Sequence, residues 1–117
     1  MCGICGFTGD RHSSDADSII ARMTESLAHR GPDEDGFFVG DGVRLGHRRL
    51  SIIDIAGGRQ PLFSEDRGIA VVCNGEIYNH SELRAELLER GHRLSSGSDC
   101  EVIAHLWEDL GTAMLSR

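Results

Sequence analysis

Two extended runs, Phe37-Phe38-Val39 and Val43-Arg44-Leu45-Gly46-His47, flank the short connection Gly40-Asp41-Gly42. A Gly-rich link of that length turns its flanks back on each other, because glycine supplies the positive φ that a tight hairpin needs. The middle of the chain is thereby committed to an antiparallel sheet, and the remaining segments must cover it. Residues 2 to 8 alternate small and apolar side chains and stop at Gly9-Asp10, which predicts an opening strand. Ser14 or Asp15 then caps a helix carrying Ile20, Met23 and Leu27 at helical spacing. It ends before His29-Arg30-Gly31-Pro32-Asp33, since Pro32 forbids simple continuation.

Further along, Leu50 to Ile55 reads as another extended run, 56–61 as a loop, and Ile69 to Cys73 as a buried strand stopped by Asn74-Gly75. An amphipathic helix follows from Ser81 to Arg90, with Ser81 or Asn79 as cap and Gly91 as stop. A last helix runs from Cys100 to Leu110, its apolar stripe formed by Val102, Ile103, Leu106, Trp107 and Leu110, and Gly111 closes it. Strands, helix, strands, helix, helix is an α+β order, with mainly antiparallel sheets and helices on their outer faces. No βαβ nucleotide unit, internal repeat or low-complexity segment is present.

The 117 residues suit one domain or part of one, and a 39% apolar content in short blocks is that of a globular chain. A net charge of -7 with interspersed arginines argues against a nucleic-acid partner. All twelve basic residues are Arg, which removes lysine Schiff-base and P-loop chemistry. The start, Met1-Cys2-Gly3-Ile4-Cys5, has no basic n-region and no long apolar stretch, so neither signal peptide nor membrane partner is expected and the location reads as cytoplasmic. In a reducing compartment the four cysteines are thiols, with Cys73 and Cys100 taken as packed core residues.

Removal of Met1 would leave Cys2 with both a thiol and a free α-amino group. The amine, with a pKa of roughly 7.7 to 8.0, is partly neutral near pH 7 and able to take the thiol proton directly or through one water. Nucleophile and base then share one residue, and no catalytic histidine is required. By itself a cysteine at position 2 is more often incidental.

Four further blocks change that weight: His29-Arg30-Gly31-Pro32-Asp33, Arg49-Leu50-Ser51-Ile52-Ile53-Asp54, Asn74-Gly75-Glu76-Ile77-Tyr78-Asn79 and Gly97-Ser98-Asp99-Cys100-Glu101. Together with Cys2-Gly3-Ile4, and in this order, they resemble the glutaminase domain of glutamine-dependent asparagine synthetase. The resemblance covers essentially the whole chain. It implies a class II amidotransferase of the N-terminal-nucleophile hydrolase type, with two antiparallel sheets stacked between helical layers. It further implies glutamine as substrate, ammonia and glutamate as products, and a synthetase domain or subunit that uses the ammonia to make asparagine.

The same resemblance assigns Cys2 as nucleophile and Asn74 with Gly75 as oxyanion hole, the first through its side-chain amide and the second through its backbone N–H. A tetrahedral intermediate needs two such donors, although Asn-Gly alone would read as a plain turn. Arg49 is assigned to the substrate carboxylate, which a planar guanidinium grips with two donors. Alternation puts Arg48 on the opposite face as an ordinary surface residue. Asp99 and Glu76 are candidates for the substrate ammonium, Asp99 competing with a role as helix cap. Leu50, Ser51, Ile52 and Ile53 continue beyond Arg49 as a strand whose carbonyls would accept from the substrate.

No cofactor is expected in this chain, ATP and magnesium belonging to the synthetase domain that it lacks, and no metal site is expected. The resembling domain runs on with further strands and an Arg-Asp block, so 1–117 reads as a partial domain incomplete at its C-terminus. Unpaired sheet edges would then favour homo-oligomers. An inactive fragment or interaction module is the alternative function. Cys2-Gly3-Ile4-Cys5 also spells a Cys-x-x-Cys, but in a strand the two thiols face opposite sides, which disfavours a redox pair or zinc half-site.

Overall fold

In the computed structural model, residues 2–9, 14–51 and 58–117 are described. The Gly-Asp-Gly hairpin forms as its sequence requires. Strand β2 (Glu34–Gly40) pairs antiparallel with β3 (Val43–Arg49) in the register Gly40↔Val43, Phe38↔Leu45, Gly36↔His47, and Gly42 takes φ 72° in the turn. The opening strand β1 (Gly3–Thr8) joins the other side of β3 with Gly3 opposite Arg48 and Cys5 opposite Gly46, giving the order β1-β3-β2.

Helix α1 (Ala16–Ser26) covers one face of this sheet, burying Ile20 and Thr24. Its close approach depends on Gly46, where a Cβ would lie 2.0 Å from Thr24 Oγ1 and 2.9 Å from Cys5 Sγ. Asp15 occupies the predicted cap position but makes no side-chain cap bond, whereas Asp17 in the first turn takes Arg44 Nε at 2.7 Å. Because side chains alternate along β3, His47 and Arg49 face away from α1, and both are buried. On that second face Gly36 meets the neighbouring segment so tightly that a Cβ would fall 1.8 Å from the Gln60 carbonyl oxygen.

Beyond residue 58 lies a second group of elements. Strands β4 (Leu62–Phe63) and β5 (Ala70–Val71) make a two-stranded sheet with Leu62 opposite Val71. Helices α2 (His80–Glu89) and α3 (Val102–Leu110) pack through Leu83, Leu87, Val102 and Leu106, and Ile77, Leu94, Leu110 and Met114 close the cluster. Full burial of each of those four aliphatic side chains stabilises by roughly 1.5–3 kcal/mol. Both helices stop at the predicted glycines, Gly91 with φ 97° and Gly111 with φ 54°. A 3-10 turn, Asp99–Glu101, leads into α3, and another, Gly111–Ser116, follows it.

Two expectations need correction. The buried strand foreseen over Ile69 to Cys73 reduces to the half-buried pair Ala70 and Val71. Its partner is only two residues long, bounded by Pro61, which has no N–H to donate, and by the turn that begins at Ser64. Of the extended run foreseen over Leu50 to Ile55 only Leu50 and Ser51 are described, and these two do not continue β3, because side chains capture their backbone donors: Leu50 N–H points to Cys2 Sγ at 3.4 Å and Ser51 N–H donates to Asp33 Oδ2 at 2.7 Å. Ile52 and Ile53 lie outside the described residues. What stands, among the described residues, is an α+β fold of antiparallel sheets and three α-helices.

Candidate active site

The second face of the three-stranded sheet and the loops around β5 and α3 enclose a cleft of about 330 Å³. Cys2, Arg49 and Leu50 line it from the sheet side, and Asn74, Gly75, Glu76 and Asp99 from the other. Seven of the residues singled out in the sequence thus meet in one place, though they lie far apart along the chain.

Cys2 directly precedes β1 and is half-buried. Its sulfur sits against the Leu50 backbone, near the N–H at 3.4 Å and the carbonyl oxygen at 3.7 Å. Arg30, from the Arg-Gly-Pro-Asp block, donates Nε–H to the Cys2 carbonyl at 3.1 Å. Arg48 Nε–H donates to the Gly31 carbonyl at 2.9 Å, which fastens the same block to β3. Arg48 is therefore not the plain surface residue expected: its side chain is only 14% exposed and lies between the carboxylates of Glu25 and Asp35.

Arg49 ends β3 with a nearly covered guanidinium whose Nη1 contacts Glu34 Oε2 at 2.9 Å. Glu34 is its direct cross-strand partner, so the sheet register itself aims this cation. Beside it, His47 is fully buried and reaches the Cys73 backbone; burial, opposed by that hydrogen bond and reinforced by the charge of Arg49, holds its pKa below the ordinary imidazole value. The imidazole is consequently neutral, with Nε2 unpartnered.

On the opposite wall, Asn74 and Gly75 are set by Cys73, which Gln60 grips at both backbone groups. Cys73 N–H donates to Gln60 Oε1 at 2.6 Å, and Gln60 Nε2 donates to the Cys73 carbonyl at 3.2 Å. A buried glutamine must satisfy both ends of its amide, and here it stands in for a missing strand neighbour. Asp99 is buried and accepts from Ile77 N–H at 2.7 Å, so it tethers the 74–77 loop, and it is the first residue of the 3-10 turn, with Ser98 at the cap position. Glu101 is buried deeper and accepts from the N–H and hydroxyl of both Ser95 and Ser96, at 2.6 to 2.8 Å. Those bonds outweigh the upward push of burial and keep its pKa below the usual carboxylate value.

Several contributors had no role in the sequence reading. Gln60 belongs to the 56–61 loop, whose sequence gives it no role, and Glu101 has none beyond its place in the Gly97-Ser98-Asp99-Cys100-Glu101 block. Cys73 and Cys100, read as mere packing, both line the cleft. Their thiols interact: donation from Cys100 lowers the Cys73 pKa and, with burial and the charge of Asp99, raises that of Cys100. Cys2 and Cys5 do face opposite sides, for Cys5 Sγ lies under α1 at 3.4 Å from Thr24 Oγ1, and all four cysteines are free thiols. Ser51 is engaged by Asp33 and does not line the cleft.

Comparison with known sequences decides the family. Over residues 1–117 the chain matches the glutamine amidotransferase domain. It belongs to that family. It is 48% identical over 112 residues to asparagine synthetase (glutamine-hydrolyzing) 1 of Arabidopsis thaliana, covering 95% of this chain and 19% of that protein. The corresponding enzyme of Triphysaria versicolor is 49% identical over 112 residues, again 95% of this chain and 19% of the other. That of Sandersonia aurantiaca is 47% identical over 116 residues, 98% and 22%. The chain spans about a fifth of the length of these curated relatives, and is homologous to that part of glutamine-hydrolysing asparagine synthetases. Among the described residues no helix is long and apolar enough to cross a membrane.

Proposed function

We propose that this glutamine amidotransferase domain hydrolyses glutamine to glutamate and ammonia through a thioester on Cys2, in an N-terminal-nucleophile arrangement exposed by loss of Met1. The reading rests on one observation: a thiol, a buried guanidinium, a buried carboxylate and an Asn-Gly pair line the same cleft. A zwitterionic amide requires that set. Its carboxylate pairs with Arg49, its ammonium with Asp99 and Glu76, and the Leu50 carbonyl lies next to the reacting sulfur.

The chemistry follows from these groups. The Cys2 α-amine takes the thiol proton and the thiolate attacks the amide carbon, its electron pair moving onto oxygen. Asn74 Nδ2–H and Gly75 N–H stabilise that oxyanion in a cleft partly shielded from water. The carbon–nitrogen bond then breaks, the nitrogen receiving the proton from the Cys2 ammonium, and ammonia departs. The freed α-amine takes a proton from water as the water oxygen adds to the thioester carbon, a second oxyanion forms, and its collapse expels the sulfur, which regains that proton as glutamate is released. None of these steps uses a cofactor. The ammonia serves asparagine formation by a synthetase domain that uses ATP and magnesium, in the cytoplasm.

Intact-mass measurement combined with an ammonia-release assay tests the proposal. A chain lacking Met1, active on glutamine and inactive as Cys2→Ala with unchanged circular dichroism, is the expected result. Retained Met1 in an active chain, or undiminished ammonia release by Cys2→Ala, would overturn it.

A further inference from the structure

Away from the glutamine cleft, two histidines and two glutamates from three segments converge. Glu65 lies in the turn between β4 and β5, His92 follows Gly91 at the end of α2, and His105 and Glu108 sit three residues apart on one side of α3. One donor atom from each can be chosen so that all four lie within 4.8 Å of one another. His92 Nδ1 is 3.1 Å from Glu65 Oε1 and 3.8 Å from Glu108 Oε2, and His105 Nδ1 is 3.2 Å from Glu65 Oε2. A tetrahedral zinc ion with bonds of about 2.0–2.2 Å separates its ligands by roughly 3.3–3.6 Å. The four donors spread to 4.8 Å, so a bound ion would draw the outermost of them together by about 1 Å.

Plain ion pairing accounts for part of this geometry but not for the state of His105. Its side chain is wholly buried, and neither ring nitrogen makes a hydrogen bond. A buried polar atom without a partner is costly, and one aimed at a cluster of ligand atoms calls for an occupant. The far nitrogen of His92 points the same way, lying 3.1 Å from Asp109 Oδ1. A metal-bound imidazole characteristically has such a carboxylate at its far nitrogen, which fixes the tautomer and strengthens the donor. Glu65 is also held in place, its Oε1 accepting from Arg93 N–H at 2.6 Å.

We propose that Glu65, His92, His105 and Glu108 bind a divalent transition cation of the zinc class, which fastens the β4–β5 turn and the end of α2 to α3. Four protein ligands close the coordination sphere, so the ion is structural and takes no part in glutamine chemistry. Asn74 lies between β5 and α2 and Asp99 in the turn that leads into α3, so the ion stiffens the elements that flank both. The inference is independent of the proposed glutaminase activity.

The test uses the whole chain, stripped with a chelator and titrated with Zn²⁺ against a chromophoric competitor, then with Co²⁺ to read coordination from its visible spectrum. One equivalent per chain is expected, with a tetrahedral cobalt spectrum free of thiolate charge-transfer bands and a raised unfolding temperature. Glu108→Gln and His92→Asn should each weaken binding at least tenfold, and Asp109→Asn about tenfold, while Cys2→Ala binds normally. These positions are partly exposed, so the variants fold, unlike a change at buried His105. Absence of binding, thiolate bands, loss of binding in Cys2→Ala, or unchanged affinity in both Glu108→Gln and His92→Asn would each overturn the proposal.

Discussion

Glu101→Gln replaces a carboxylate by an amide of equal size at a position 1% exposed. Four donors converge there: Ser95 N–H and hydroxyl on Oε1, Ser96 N–H and hydroxyl on Oε2. After substitution one oxygen becomes an NH2 group. The serine hydroxyl facing it can rotate and accept, but the backbone N–H cannot, and is orphaned at about 1–3 kcal/mol. The two bonds kept by the surviving oxygen fall from charge-assisted to neutral, a further loss of about 1 kcal/mol each. Relief of carboxylate desolvation offsets part of this, leaving a net loss of about 3 kcal/mol. For a domain of this size that lowers the unfolding midpoint by roughly 10 °C. Thermal and urea unfolding followed by circular dichroism measure it, and amide exchange at Ile77, whose N–H is held by neighbouring Asp99, should accelerate. A variant within about 0.5 kcal/mol of wild type would refute the assignment of Glu101 as the clamp of this loop.

Asn74→Ala should lower kcat for glutamine hydrolysis about 10²–10³-fold with little change in KM, measured by steady-state ammonia release, because its amide acts on the oxyanion and not on the bound amide. Gly36→Ala should cost about 1–3 kcal/mol in urea unfolding, since a Cβ there collides with the Gln60 carbonyl at 1.8 Å, and activity should drop further as Gln60 shifts Cys73. Stability should also fall on acidification. His47 has a folded pKa below 6.5, so as pH drops past that value the unfolded chain binds a proton that the fold refuses. The loss approaches about 1.4 kcal/mol per pH unit at most, and urea midpoints between pH 7.5 and 5 should show it in wild type but not in His47→Asn.

The three helices and the β2–β3 hairpin were legible because their signals are local: apolar periodicity, glycine stops and a two-residue turn. Ile69 to Cys73 misled because an apolar run says nothing about partner length, and Gln60, not a strand, supplies the pairing at Cys73. Leu50 misled for a related reason, its N–H being turned toward Cys2, which precedes the neighbouring strand β1. Cys2, Arg49, Asn74 and Asp99 share no spacing that would announce a site, and only their family resemblance linked them before the cleft was seen. His92 and His105 gave no metal signature for the same reason, since Glu65 comes from a separate turn and only Glu108 shares a helix with one of them.

The cleft straddles a join. Its sulfur and its arginine are carried by one sheet, while its asparagine and aspartate ride on the hairpin and helices beyond residue 58. Gln60, His47 and the tight meeting at Gly36 bolt the two parts together. A machine assembled across a joint loses its alignment when the joint slackens, well before either part melts, so inactivation should precede the loss of helical signal on gentle warming.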